Sequence, residues 1–176
     1  MVKEIYLVRH GQTFANLDIS KPKELTPLGK KQAKKTAQFL KKKSFDVMYS
    51  STMNRAKDTA AIISKFHKKV PIALDIFNEI NGNIVGCPWD EGSSVIKNYK
   101  GKKRAKGAYT FLTHSSYDRI LLVSHANITR TLLTQILGVS FKKGRHLQIK
   151  NCSVIKISFD MGYPRFRTIF EPGNSL

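Results

Sequence analysis

Ile5-Tyr6-Leu7-Val8-Arg9-His10-Gly11 decides the fold. Four apolar residues rich in β-formers read as a buried strand. The run breaks at Arg9-His10-Gly11, which places a cation and an imidazole at the strand's carboxyl end. Far along the chain the pattern returns: Ile120-Leu121-Leu122-Val123 is fully apolar and ends in Ser124-His125. In open α/β sheets ligands sit outside the carboxyl ends of the strands. Two histidines, delivered by two such strands, can therefore face each other at one sheet edge.

Between and beyond these strands, helical and extended periodicities alternate. Leu28, Ala33, Ala37 and Leu40 fall at helical intervals and predict a helix over about Thr26 to Lys42, with lysines on its other face. Phe45 to Tyr49 predicts a second strand. Thr52 is placed to cap a helix carrying Ala56, Ala60 and Ile63. Val70 to Leu74 predicts a third strand, entered through Pro71. Residues 75–107, with Gly82, Gly86, Pro88, Gly92, Gly101 and Gly107, predict a long excursion rather than packed regular structure. After Ile120–Val123 come a helix with Ile128, Leu132, Leu133 and Ile136 that stops at Gly138, and closing strands over Gln148–Phe159 and Phe166–Phe170. The expected fold is α/β: a three-layer sandwich, one domain over 1–176, with a mainly parallel central sheet, helices on both faces and a short flap at 75–107.

The charge balance narrows the partners. Lys and Arg number 31 against 12 Asp and Glu, a net +19, which attracts anions. Lys30, Lys31, Lys34 and Lys35 lie on one predicted helix, and Lys97, Lys100, Lys102, Lys103, Arg104 and Lys106 cluster on the excursion. Solvation or steering of anionic substrates accounts for them. Nucleic acid is a poorer fit, since only Tyr99 and Tyr109 interleave as stacking groups. Cys87 and Cys152 lie far apart in no metal-type spacing, which points to a reducing compartment. The first residues carry a charge at Lys3 and no long apolar run, and no window reaches membrane-span length, so a cytosolic protein with no membrane contact is expected.

Phosphoryl transfer needs fixed positive charge, a nucleophile where a covalent intermediate forms, and a proton donor for the leaving oxygen. Arg9, Arg55, His10, His125 and Glu79 supply those types. They also carry a family resemblance. LVRHGQTFAN (7–16) resembles the signature of the histidine phosphatase superfamily, the phosphoglycerate mutase-like family. LTPLGKKQA (25–33), SSTMNRAKDTA (50–60), NEINGNIVG (78–86), VSHANITR (123–130) and NCSV (151–154) resemble its further segments, in order. The resemblance implies that His10 attacks phosphorus and becomes a phosphohistidine. It implies that Arg9, Arg55 and His125 hold the phosphoryl oxygens, that Glu79 gives and takes the proton, and that Asn16 lies near the phosphate. It implies no metal and no cofactor. Gly82 comes one residue early after Glu79, Ala126 stands where Gly is common, and Gly92-Ser93-Ser94 stands where Gly-Glu-Ser is common.

The family's glycolytic mutases carry a long insertion before the second histidine. Here that stretch is short and Gly-rich, so a phosphatase acting on phosphate monoesters of small molecules is expected ahead of a mutase. A phosphohistidine or phosphoprotein substrate is the alternative, and a basic nucleic-acid-binding protein with a relict site is a further one. Asp90 or Glu91 could serve as the acid in place of Glu79. A zinc site from His10, His125 and Glu79 lacks a short-range ligand pair. Ser51 or Ser124 as nucleophile lacks the G-x-S-x-G elbow. His67, His114 and His146 have no motif and are expected in surface or packing roles. The sequence leaves the oligomeric state open.

Overall fold

The computed structural model describes residues 3–18, 20–80, 95–140, 144, 146–161 and 163–173. Six strands form one sheet in the order β3-β2-β4-β1-β5-β6. They are β1 (Glu4–Arg9), β2 (Val47–Ser50), β3 (Ile72–Ala73), β4 (Arg119–Ser124), β5 (Val154–Asp160) and β6 (Tyr163–Phe170). β3, β2, β4 and β1 run parallel, while β5 pairs antiparallel with both β1 and β6. The helices are α1 (Pro27–Leu40), α2 (Asn54–Ser64), α3 (Val95–Thr113) and α4 (Ala126–Ile136).

The two-residue period of a strand sorts the core into two halves. Tyr6, Val8, Met48, Leu121, Val123 and Val154 pack on one face against Ala37 and Leu40 of α1 and Ala56, Ala60 and Ile63 of α2. Ile5, Leu7, Tyr49, Ile120, Leu122 and Ile157 pack on the other against Ala105, Ala108 and Leu112 of α3 and Ile128, Leu132 and Leu133 of α4. That is the expected mainly parallel α/β sandwich with helices on both faces. Each buried Val, Leu, Ile or Met among them contributes about 1.5–3 kcal/mol by leaving water. Among the described residues no helix is long and apolar enough to cross a membrane.

Several expected elements move. Residues 95–107 are not an irregular excursion: they form the larger part of α3, with Gly101 and Gly107 inside it. Among the described residues its buried face is Ala105, Ala108 and Leu112, of which the two alanines are too small to print an amphipathic stripe, and a Cβ at Gly107 would meet nothing nearer than Ile76 Cδ1 at 3.5 Å. Residues 81–94 lie outside the described residues, and with them Gly82, Gly86, Cys87, Pro88, Asp90, Glu91, Gly92, Ser93 and Ser94. So do the side chains of Lys97, Tyr99, Lys100 and Lys102.

Thr52 does not cap α2. Met53 occupies that position, and the Thr52 hydroxyl is drawn instead to Asp75 Oδ1 at 2.6 Å. The expected strand from Gln148 begins only at Val154, because Cys152 turns the chain with φ of 55°. α4 ends at Ile136 with Leu137 as its cap, and Gly138, with φ of 63°, supplies the left-handed residue the turn requires. His67 packs edge-on against Phe45, in keeping with its expected packing role.

Candidate active site

Register brings the site together. Arg9 lies opposite Ser124, and Ser50 opposite Val123, so the residues that follow leave three adjacent strands side by side. The chain holds parallel spacing one step further: His10 N donates to Ser124 O (2.9 Å) and Ser51 N to Val123 O (3.0 Å). His10 and His125 emerge as neighbours with ring centroids 5.1 Å apart.

The loop after His10 is clamped against the first turn of α1. A Cβ on Gly11 would stand 2.5 Å from Gly29 O, and one on Gly29 would stand 2.0 Å from Gln12 O. Only two glycines permit this approach. Gln32 Oε1 accepts from Gln12 N (3.0 Å), and the Thr26 hydroxyl, which caps α1 at Gly29 N (2.9 Å), also donates to Gln12 Oε1. Thus the LTPLGKKQA segment serves as the bracket of the Arg9-His10-Gly11 corner.

His10 is buried, and its Nδ1 lies 2.7 Å from Gly11 O. A carbonyl oxygen only accepts, so Nδ1 carries the hydrogen and Nε2 keeps a lone pair. Arg55 Nε donates to that Nε2 at 3.2 Å. Burial, then the cations Arg9 and Arg55, push the His10 pKa down to about 3, so the ring is neutral. Arg9 anchors Nη1 on Ile149 O (2.7 Å) and leaves a buried Nε without a partner. Arg55 lies in the first turn of α2.

His125 is fully buried at the start of α4, its Nε2 2.8 Å from Ser51 Oγ and its Nδ1 without a partner. Burial and the surrounding cations push its pKa down as well. Glu79 is held over the N-terminus of α4: its Oε1 accepts from Ile80 N (3.0 Å), Asn127 N (3.1 Å) and Ile128 N (3.2 Å). Burial raises its pKa, against the lowering pull of those N–H groups and Arg55. A raised pKa lets the carboxyl keep its proton to a higher pH than a free glutamate would. Asn16 only borders this group. It is exposed, its Oδ1 accepts from Thr13 N (3.0 Å), and it reaches His10 only through Asn151, whose Nδ2 donates to His10 O (2.9 Å).

Three participants escaped sequence reasoning. Arg104 of α3 donates from Nη2 to the carbonyls of Asn78 (2.9 Å) and Glu79 (2.7 Å). Arg130 binds Leu147 O and Asn127 Oδ1, each at 2.8 Å, and its charge is felt by Arg9 and Glu79. Asn78 accepts from Ser51 Oγ at 2.6 Å. Asn78 and Arg130 stood inside the NEINGNIVG and VSHANITR segments; Arg104 had no signal, being one cation in a run of them. Cys152 is buried, with its thiol pKa pushed up to about 12, which makes it a poor nucleophile.

Among the described residues four guanidinium groups and two imidazoles thus gather with one carboxylate, and the buried Nε atoms of Arg9 and Arg104 lack acceptors. Such a pocket attracts a multiply charged oxyanion. Among the described residues no group of three His, Cys, Asp or Glu side chains is arranged to hold a metal ion. The His10 Nε2 that a zinc ion would need already faces the Arg55 cation.

Known proteins share this arrangement of segments. The family model described as histidine phosphatase superfamily (branch 1) matches residues 5–100 and 99–172. The chain is 30% identical over 149 residues to PhoE of Bacillus subtilis (strain 168), named an uncharacterized phosphatase, covering 76% of this chain and 77% of that one. It is 24% identical over 184 residues to GpmB of Yersinia pestis (strain Pestoides F), named a probable phosphoglycerate mutase, covering 89% and 85%. The solved phosphoserine phosphatase of Entamoeba histolytica, in complex with 3-phosphoglyceric acid, superposes with a TM-score of 0.74 at 27% identity, over 94% of this chain and 95% of that one. With the family model matched along nearly all of its length, the chain belongs to the histidine phosphatase superfamily.

Proposed function

We propose that this protein is a phosphatase that hydrolyses phosphate monoesters of small molecules through a phosphohistidine on His10. The observation that carries the proposal is the neutral His10 ring, with Nδ1–H committed to Gly11 O and the Nε2 lone pair turned toward the cationic pocket. In the first step the Nε2 pair bonds to phosphorus as the bond to the ester oxygen breaks. Arg9, Arg55 and His125 hold the three phosphoryl oxygens, and Glu79 gives its proton to the departing oxygen. In the second step Glu79 takes a proton from water as that water attacks phosphorus and releases His10. Both steps balance with no metal, cofactor or redox partner. Asn16, bordering the pocket, is a weaker candidate for a phosphate contact. The phosphatase relative and the one that binds a phosphorylated three-carbon acid support small-molecule substrates.

The test is a panel: p-nitrophenyl phosphate, phosphoserine, 3-phosphoglycerate, nucleoside monophosphates and a protein carrying phosphohistidine. Labelled substrate is quenched in alkaline denaturant, in which phosphohistidine survives. Phosphate release from small monoesters, chelator-insensitive and with an alkali-stable, acid-labile label on the protein, is the expected outcome. Turnover of the phosphohistidine protein alone would overturn the small-molecule assignment. Phosphoryl exchange between glycerates without release would make the protein a mutase.

A further inference from the structure

The structure assigns to Asn78 a positioning role: acting through Ser51, it holds His125 in the tautomer that carries its hydrogen on Nε2, so that Nδ1 is the atom offered to the transferred phosphoryl group. This rests on the phosphatase reading of the same pocket.

The direction of each hydrogen bond follows from its neighbours. Asn78 Oδ1 lies 3.0 Å from Thr52 N, and a backbone N–H only donates, so the atom facing it is the amide oxygen. The other end of the amide agrees, since Nδ2 donates to Asp75 Oδ1 at 2.9 Å. Ser51 Oγ stands 2.6 Å from that same Oδ1. An amide oxygen cannot donate, so the single hydroxyl hydrogen of Ser51 is spent there. Met53 N donates to Ser51 Oγ at 3.1 Å, which uses one lone pair of the hydroxyl. At 2.8 Å from His125 Nε2 the hydroxyl can therefore only accept. Hence Nε2 bears the hydrogen.

The consequence falls on the other nitrogen. Nδ1 of His125 is buried with no hydrogen-bond partner. Leaving a buried polar atom unpaired costs about 1–3 kcal/mol, and such an atom in a pocket is satisfied only by what enters it. With Nε2 held by Ser51, any ring N–H reaching a phosphoryl oxygen must be Nδ1–H. In the resting protein the groups facing His125 are His10, Arg55, Arg9 and Arg104, all of which oppose a second proton on the ring. A phosphate dianion reverses that balance, so the ring gains its Nδ1 proton when the anion arrives. Asn78 directly precedes Glu79, and Arg104 holds both of their carbonyls, so one short segment sets the ring on one side and the carboxyl on the other.

The experiment is nitrogen NMR on protein labelled at histidine, near neutral pH, with and without orthovanadate as a phosphate mimic, paired with steady-state kinetics. The wild-type His125 signals should report a protonated Nε2 and a bare Nδ1, with Nδ1 becoming protonated on vanadate addition. Asn78→Ala and Ser51→Ala should each mix the tautomers and lower kcat about 10- to 100-fold, the usual scale for residues that orient a functional histidine, with a smaller change in KM. The exchange Asp75→Asn with Asn78→Asp keeps an acceptor on Ser51 and should restore both tautomer and rate. A resting His125 with its hydrogen on Nδ1, or variants that keep the wild-type tautomer and rate, would overturn the assignment. The resting tautomer is read without turnover. A missing phosphoenzyme with the Nε2–H tautomer intact would therefore refute the phosphatase mechanism and spare the relay.

Discussion

His10 and His125 sit in adjacent niches of opposite construction. His10 is held from within its own segment: Nδ1 on the carbonyl of the next residue, the backbone clamped by the paired glycines. His125 is held by strangers, with Ser51 74 positions away in sequence and Asn78 beyond it. One niche travels with the chain's local conformation, while the other exists only when β2, the turn after β3 and β4 are assembled. The nucleophile proposed for His10 needs one free lone pair in a fixed direction, which a local clamp provides. The anion-holding role proposed for His125 needs its tautomer chosen, which takes an outside donor–acceptor chain.

The largest effect should come from the local niche. On the proposed mechanism His10→Ala removes the atom that bonds to phosphorus and should reduce kcat/KM by more than about 10⁴-fold, the scale seen when a covalent nucleophile is deleted. No alkali-stable label should form. His125→Ala leaves the nucleophile and removes one oxyanion donor, a loss of about 10²–10³-fold, and labelled protein should still accumulate slowly. Equal losses in the two variants would erase the distinction between the niches.

Acid should expose both niches together. In the unfolded chain each histidine takes up a proton near its ordinary pKa of about 6.5. In the folded protein His10 resists until about pH 3, and His125 is shifted the same way. Between those limits the unfolded state binds more protons, so stability is present above about pH 6.5 and is lost as pH falls toward 3, by at most about 1.4 kcal/mol per pH unit for each ring. Glu79, with a raised pKa, pulls the other way, so the readout is the difference from a variant. Urea midpoints from pH 7 to 4 should fall less steeply in His10→Gln and His125→Gln than in the parent. Parallel curves would mean that the rings are not held neutral.

Legibility in the sequence followed the same divide. Ile5–Gly11 and Ile120–His125 were readable because buried strands are unbroken apolar runs, and the register between them turned two strand ends into one site. Arg55 and Glu79 were readable through the segments around them, although the N–H groups that hold Glu79 come from α4. α3 was not readable, because two of its buried residues, Ala105 and Ala108, are small and its sequence is broken by lysines and glycines. Thr52 was misjudged as a cap because its rival partners, Asp75 and Asn78, lie more than 20 residues on. Asn78 and Ser51 were visible as letters, but their hydrogen-bond directions depend on a chain of four residues that only folding brings together.

The smallest effect tests that hidden helix. Arg104 reaches from α3 to the carbonyls of Asn78 and Glu79, tying the acid's backbone from behind. The Glu79 carboxyl keeps its three backbone donors without it, so Arg104→Ala should loosen the acid rather than remove it. Glu79→Gln deletes the proton and should slow an alkyl phosphate by about 10²–10⁴-fold, the usual worth of a general acid, while sparing p-nitrophenyl phosphate, whose leaving group needs little help. Arg104→Ala should show the same leaving-group bias at about one-tenth of that size. If both esters slow equally, Arg104 acts on the phosphate and not on the acid. If Arg104→Ala exceeds Glu79→Gln on the alkyl ester, α3 contributes a direct substrate contact, and the far niche extends one helix further than the hydrogen bonds of Asn78 indicate.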